Sequence, residues 1–199
     1  KVGAGGFAYG KAVVLDDTLL SSTSEKALLQ RPFTLEDFRK AVHTTEVQLE
    51  ALQQHIEEQF SDVASMIFAA QILMLKDKAF VGAIEQLIEQ DIHPVEAIRQ
   101  TDEHYKHMFE KLPDAYFKER MQDVQDIGRR LLRNLIGVKD QVSDVFGSIV
   151  IAQELFPSDI LKLSSQQIKG LILLSGGITS HLSILSRSLE IPLIIIEKK

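Results

Sequence analysis

The sequence has no cysteine, which excludes disulfides, thiolate metal sites and cysteine nucleophiles and agrees with a reducing compartment. No apolar run approaches the roughly 20 residues that a membrane-spanning helix needs, and no basic-then-apolar signal segment opens the chain. A soluble, cytoplasmic protein is expected. Positive charge is in deficit: 22 Lys and Arg stand against 28 Asp and Glu, a formal net charge of −6. That balance argues against nucleic acid and anionic membranes as partners and favours a basic protein. There is no P-loop, no GxGxxG and no GxSxG, and neither internal repeats nor low-complexity tracts.

What is present is a globular composition, 45% hydrophobic over 199 residues, enough for one good core or two modest ones. From about Leu35 to Gly137 helical periodicity dominates. Leu35, Phe38, Val42, Leu49, Leu52, Ile56 and Phe60, with Thr45 filling one step, predict a long amphipathic helix with a narrow apolar seam. Ser61 and Asp62 read as a break and a new cap before a second helix carrying Met66, Ile67, Ala70, Leu73 and Met74. A third helix is predicted from about Asp77 to Gln90, a fourth after Pro94, and a last one from near Pro113 with Phe117, Met121, Val124, Gly128, Leu131 and Leu135 on one face, ended by Gly137. The flanks differ: Val13 to Leu15, Ile149 to Ile151, Leu171 to Leu174 and Ile191 to Ile196 are short apolar strand candidates. The expected architecture is an α/β domain built from residues 1–20 and 138–199, with an all-helical hairpin bundle, residues 21–137, inserted into it.

The chemistry concentrates near the end. After the apolar run Leu171 to Leu174, Gly176 and Gly177 turn the backbone, and Thr179 or Ser180 can cap a helix whose Leu182, Leu185 and Leu189 recur at helical spacing. His181 then falls in the first turn, where free backbone N–H groups and the positive end of the helix dipole favour an anion such as phosphate. With Ile191 to Ile196 this makes a strand-turn-helix-strand unit suited to a parallel sheet. A neutral imidazole has one lone pair for attack while the other nitrogen holds its proton. The alternative for His181 is capping without chemistry, and for the glycines, Thr179 and Ser180 ordinary turning and capping. Arg187, six residues after His181, lies off its helical face, leaving structural pairing or electrostatic support open. Glu103, His104, His107 and Glu110 could be gathered as metal ligands but read better as a solvated helix face. Arg129, Arg130 and Arg133 are expected to serve the last helix's C-terminal carbonyls and dipole.

The run Gly176-Gly177-Ile178-Thr179-Ser180-His181 through Ile184, Arg187, Leu189, Ile191 and Pro192 closely resembles, without a gap, the active-site signature of Enzyme I of the phosphoenolpyruvate:sugar phosphotransferase system. Gly6 to Ala12, GFAYGKA, is similar to that family's N-terminal strand, and Lys118 to Leu132 to its KERxxDVxDIGxRLL helix. The resemblance implies an α/β phosphohistidine domain, ending short of its final strands, with an inserted carrier-binding bundle. It implies phosphorylation of His181 through Nε2, with Gly176, Gly177, Thr179, Ser180 and Arg187 supporting the phosphoryl site. It further implies that this is the N-terminal portion of a phosphoenolpyruvate-protein phosphotransferase. The C-terminal barrel of that enzyme, absent here, would bind phosphoenolpyruvate and Mg²⁺ and form the homodimer. The implied partner is the phosphocarrier HPr, docking between the bundle and His181. Glu57, Glu58 and Asp62 supply acidic steering and Met66, Ile67 and Met74 apolar anchors.

Several positions depart from the pattern. Ile160 stands for a threonine, Leu174 for an acidic residue, Ala64 and Gln71 for a lysine and a histidine of some members, and Gln125 for an arginine. Each change removes a polar group that could aid transfer. The alternatives are a nitrogen-type or dihydroxyacetone kinase-linked paralogue, or a non-catalytic interaction protein in which His181 is silent. Pyruvate phosphate dikinases fit less well, since they lack the helical insert and commonly place cysteine before the histidine, where this chain has Ser180.

Overall fold

The structure is a computed structural model that describes residues 1–15, 28–59, 62–111, 115–137, 144–153, 155–174 and 181–196. The chain divides into two compact units. One comprises residues 1–20, 55–65 and 140–199, the other residues 21–54 and 66–139.

The first unit holds a five-stranded sheet made of β1 (Val2–Ala4), β2 (Ala12–Leu15), β3 (Ile149–Ala152), β4 (Gly170–Leu173) and β5 (Leu193–Ile195), in the order β1-β5-β4-β3-β2. The pairings β2–β3, β3–β4 and β4–β5 are parallel, and β1 runs antiparallel to β5 at one edge. The four strand candidates of the sequence all form; β1 was not among them, since three residues carry too little pattern to register. In register, Val150, Leu171 and Leu193 are side by side, as are Ala152, Leu173 and Ile195, and all six are buried. The alternate positions are less covered: Ile149, Ile151 and Ile172 are half-buried and Ile194 is 49% exposed. The apolar runs therefore bury one face of the sheet more deeply than the other.

Two helices lie wholly in this unit, α6 (Pro157–Ser165) and α7 (His181–Ser188), which follow five others in chain order. Helix α6 was missed in the sequence, although Pro157 occupies its first turn and the Asp159 carboxylate accepts from the Phe156 N–H at 3.0 Å, a usable start signal. Helix α7 lies on the Leu193 face. A β-carbon added to Gly3 would sit 2.8 Å from Leu193 Cδ2 and 2.9 Å from Ser183 Oγ, so β1 touches both at once.

The remaining helices are α1 (Leu35–Gln59), α2 (Asp62–Lys76), α3 (Lys78–Glu89), α4 (Pro94–Glu110) and α5 (Ala115–Ile136). Each coincides with a predicted helix. Thr34 and Asp37 form a reciprocal box at the start of α1: the Asp37 carboxylate accepts from the Thr34 N–H and hydroxyl, and Thr34 Oγ1 accepts from the Asp37 N–H. Those bonds hold the Asp37 carboxyl below its usual range. Of the predicted seam of α1, Phe38, Thr45, Leu49 and Ile56 are buried and Leu35, Val42 and Leu52 are half-buried, while Ala41, next to Val42 and outside the predicted set, is buried. Thr45, the polar step, donates to Ala41 O at 2.7 Å and accepts from Asn134 Nδ2 of α5 at 2.8 Å, which satisfies it within the core. Asp77 and His93 cap α3 and α4, accepting from the N–H groups of Ala79 and Val95. Gly137 follows α5 at φ +73°, the left-handed conformation of a helix stop.

Arg133 lies in the last turn of α5, as expected, but Arg130 departs from expectation. Arg130 is 8% exposed and points inward, 3.7 Å from Asp126, while the carbonyl of Ile136 is served by Arg31 Nη1 at 3.0 Å. An arginine one turn earlier than the helix end faces the core here, so the nearest buried carboxylate claims it.

Helix α4 meets α5 at Gly128, where a β-carbon would overlap the Asp102 carboxylate. Burial pushes that carboxyl up to about 8, reinforced by the nearby Glu103 charge, and its Oδ1 is buried without a hydrogen-bond partner. At neutral pH the folded chain therefore keeps a proton on Asp102 that the unfolded chain releases. Stability should fall as pH rises from about 4 towards 8 and level off above, because over that range the unfolded state binds fewer protons. Thermal melts of Asp102→Asn should lose this component of the pH dependence and exceed the parent Tm at pH 8.5. A Gly128→Ala chain should melt lower than the parent, and an added Asp102→Ala should recover most of the loss.

Candidate functional site

Parallel neighbours cannot be joined by a tight turn, so the chain leaving β4 must cross one face of the sheet before it returns as β5. That crossover is α7, and His181 is its first residue. The expected position in the first turn is therefore occupied, at the start of the helix, where backbone N–H groups lack intrahelical acceptors. His181 is half-buried and makes interactions of its own. Leu182 and Leu185 are buried behind it, anchoring the helix by the face that the spacing predicted. Gly176, Gly177, Thr179 and Ser180 lie outside the described residues.

Arg187 is exposed and donates from Nε to Ser183 O at 3.1 Å, one turn back on its own helix. Glu190 takes a left-handed φ of 56° as the chain leaves α7. Pro192 follows and rests against Gly6, whose φ is +146°; a β-carbon there would be 2.7 Å from Pro192 Cγ. The N-terminal glycine stretch and the Ile191-Pro192 pair, read separately in the sequence, thus meet at one point behind the helix. Ile160 is fully buried in α6, where a threonine hydroxyl would need a partner.

The residues predicted to meet a carrier scatter. Glu57 and Glu58 are exposed on α1, and Asp62 opens α2. Met66 is 66% exposed, whereas Ile67 is 5% exposed and belongs to the core, so it is removed from the anchor set. Met74 is half-buried. Leu73, 70% exposed and two turns after Met66, completes an apolar face that the residue-by-residue choice missed; the i, i+7 relation was its signal. The acidic excess of α1 is also smaller than its sequence suggested, because Lys76 reaches from α2 to Glu46 at 2.9 Å and Glu50 at 3.2 Å. His107 lies 3.8 Å from Glu103 and 3.4 Å from Glu110 on an exposed face, and no metal-holding group of three or more side chains occurs among the described residues.

The sequence matches the family described as "PEP-utilising enzyme, N-terminal" over residues 2–120 and that described as "PEP-utilising enzyme, mobile domain" over residues 146–197. It is 32% identical over 193 residues to a phosphoenolpyruvate-protein phosphotransferase of Bacillus sp. (strain S), an alignment covering 96% of this chain and 33% of that protein. The protein of the same description from Mycoplasma genitalium is 38% identical over 149 residues, covering 74% and 26%. That from Buchnera aphidicola subsp. Baizongia pistaciae is 34% identical over 194 residues, covering 96% and 34%. The chain spans about a third of the length of these relatives. Among solved structures, an NMR solution structure of Enzyme I superposes with a TM-score of 0.67 at 26% identity, covering 98% of this chain and 80% of that one. The N-terminal domain of a nitrogen-type Enzyme 1 has the same TM-score at 20% identity and shares the fold.

Within α7, Ser186 is fully buried and its hydroxyl has no hydrogen-bond partner. Ser186→Ala removes a stranded polar atom without opening a cavity, so its Tm should equal or exceed the parent by about 2 °C in a calorimetric scan.

Proposed function

Because this chain belongs to the family of PEP-utilising enzymes, we propose that it carries the phosphohistidine relay of a phosphoenolpyruvate-protein phosphotransferase. His181 is the residue that is phosphorylated, and the phosphocarrier HPr receives the group. The observation that carries the reading is the place of His181 as first residue of α7, the helix between the parallel strands β4 and β5. The imidazole Nε2 lone pair attacks phosphorus, the bond from phosphorus to the enol oxygen of phosphoenolpyruvate breaks, and the enolate leaves, becoming pyruvate when its methylene carbon takes a proton from water. In the second half the carrier's nucleophile attacks the same phosphorus and the P–N bond to His181 breaks. Positioning and stabilisation of charge on the phosphoryl oxygens do most of the work. Gly176, Gly177, Thr179 and Ser180 would bring backbone and hydroxyl donors to those oxygens, and Arg187 remains a supporting cation. Phosphoenolpyruvate and Mg²⁺ are held in this reading by the part of the relatives that lies outside the aligned third, as is the dimer contact.

Phosphorylated HPr should label the chain with acid-labile phosphate at His181, and His181→Ala should abolish labelling. Label that persists in that variant defeats the reading. Phosphoenolpyruvate with Mg²⁺, without full-length enzyme, should leave the chain unlabelled.

The carrier is recognised through α1 and α2, with Glu57 and Glu58 steering and Met66 and Leu73 anchoring. HPr association should slow with added salt, and Glu57→Lys with Glu58→Lys should slow it further while circular dichroism is unchanged. Insensitivity to both in an NMR titration would move the docking surface elsewhere. The replacements at Ile160, Ala64, Gln71 and Gln125 bear on the rate of transfer rather than on the nucleophile.

A further inference from the structure

Helix α2 is apolar on every side. Its stretch from Met66 to Leu75, MIFAAQILML, holds one polar side chain, Gln71. Met66 and Leu73 face solvent, and Phe68 and Leu75, similar in size and hydrophobicity, are buried. Hydrophobic burial is non-directional, and a helix without a polar face offers little to decide which side turns inward. Each residue step is about 100° of rotation, so a modest roll would exchange buried for exposed side chains at small cost in apolar area.

Gln71 is fully buried. Its Nε2 donates to Asp126 Oδ2 at 3.0 Å and lies 3.5 Å from Asp123 Oδ1, both on α5 and both almost wholly buried. The acids are held in turn, Asp123 by Arg120 at 3.4 Å and Asp126 by Arg130 at 3.7 Å. Rolling α2 would pull the amide away from two buried carboxylates and strand it in an apolar environment. A further polar tie of α2, Lys76 to Glu46 and Glu50, is half-exposed and of the weak, screened kind. Gln71 Oε1, moreover, is buried without a hydrogen-bond partner, which a side chain retained only for stability would not leave.

We propose that Gln71 is a positioning residue, a polar pin whose bond to Asp126 and Asp123 sets the rotation of α2 and thereby presents Met66 and Leu73 to solvent. Single buried polar groups that select a register at some expense of stability act in the same way. The rotational role stands on the helix alone; its consequence for carrier docking rests on the function proposed above.

The cysteine-free chain allows a direct test. Leu73→Cys and Ile72→Cys are made in the parent and in Gln71→Met, and maleimide labelling rates are measured under native conditions. In the parent the thiol at 73 should label at least about tenfold faster than that at 72, following exposures of 70% and 8%. In Gln71→Met the ratio should fall by about tenfold, the equilibrium equivalent of one hydrogen bond to a charged group. Gln71→His, with a ring N–H for the same acids, should restore it. An unchanged ratio in a Gln71→Met chain of normal helical content overturns the proposal. Should that variant lose its helical signal, Asp126→Asn probes the same bond from α5: the ratio should fall partway, and constancy again overturns the proposal. HPr titration of Gln71→Met separates the two layers. Collapsed labelling contrast with unaltered carrier binding upholds the pin and removes α2 from the docking face.

Discussion

The parallel pairing of β4 with β5 is the constraint from which the candidate site follows. Strands that run the same way and lie next to each other require a crossover, and the crossover must start at the C-terminal end of the first strand. Helix α7 therefore begins where the sheet's strand ends converge, with His181 at its exposed N–H groups. Leu182 and Leu185 hold the helix down, Ser183 and Leu193 both abut Gly3, and Pro192 closes the return against Gly6. Residues that look like part of a chemical signature thus divide into one nucleophile candidate and a frame that keeps its helix in place.

The helical unit is organised by a second constraint, the need to satisfy polar groups inside it. Thr45 and Asn134 join α1 to α5, and Gln48 adds two further bonds to Asn134 at 3.1 Å each. Gln71 joins α2 to α5 through Asp126. Asp102 packs its carboxyl on the bare backbone of Gly128. Apolar contacts supply most of the stability of such a bundle but tolerate sliding and rolling; directional bonds do not. Helix α5 takes part in every one of these links, so it acts as the reference against which its neighbours are set.

The two kinds of information in the chain are therefore unequal. Helices of the bundle were legible because a buried seam must recur at the helical period, as Phe38, Leu49 and Ile56 do, and because Asp77, Pro94 and Gly137 carry start and stop chemistry. The parallel strands were legible as apolar runs between breakers. Short elements failed: β1 has three residues, and α6 hides its start signal behind an apolar cap residue, Phe156. Position within a helix was the other failure. Ile67 and Leu73 are alike in composition, but one is in the core and the other in solvent.

Local periodicity and capping residues were enough to predict the longer elements and the α/β-plus-bundle class, and the histidine motif was enough to single out a candidate nucleophile. These depend on neighbours in sequence, whose geometry the backbone dictates. The rotation of α2, the inward turn of Arg130 to Asp126, the meeting of Gly6 with Pro192 and the protonated state favoured by Asp102 depend on partners distant in sequence. Those were decided only in the folded chain, because an apolar helix face and an ionisable side chain acquire a direction only when other elements close around them.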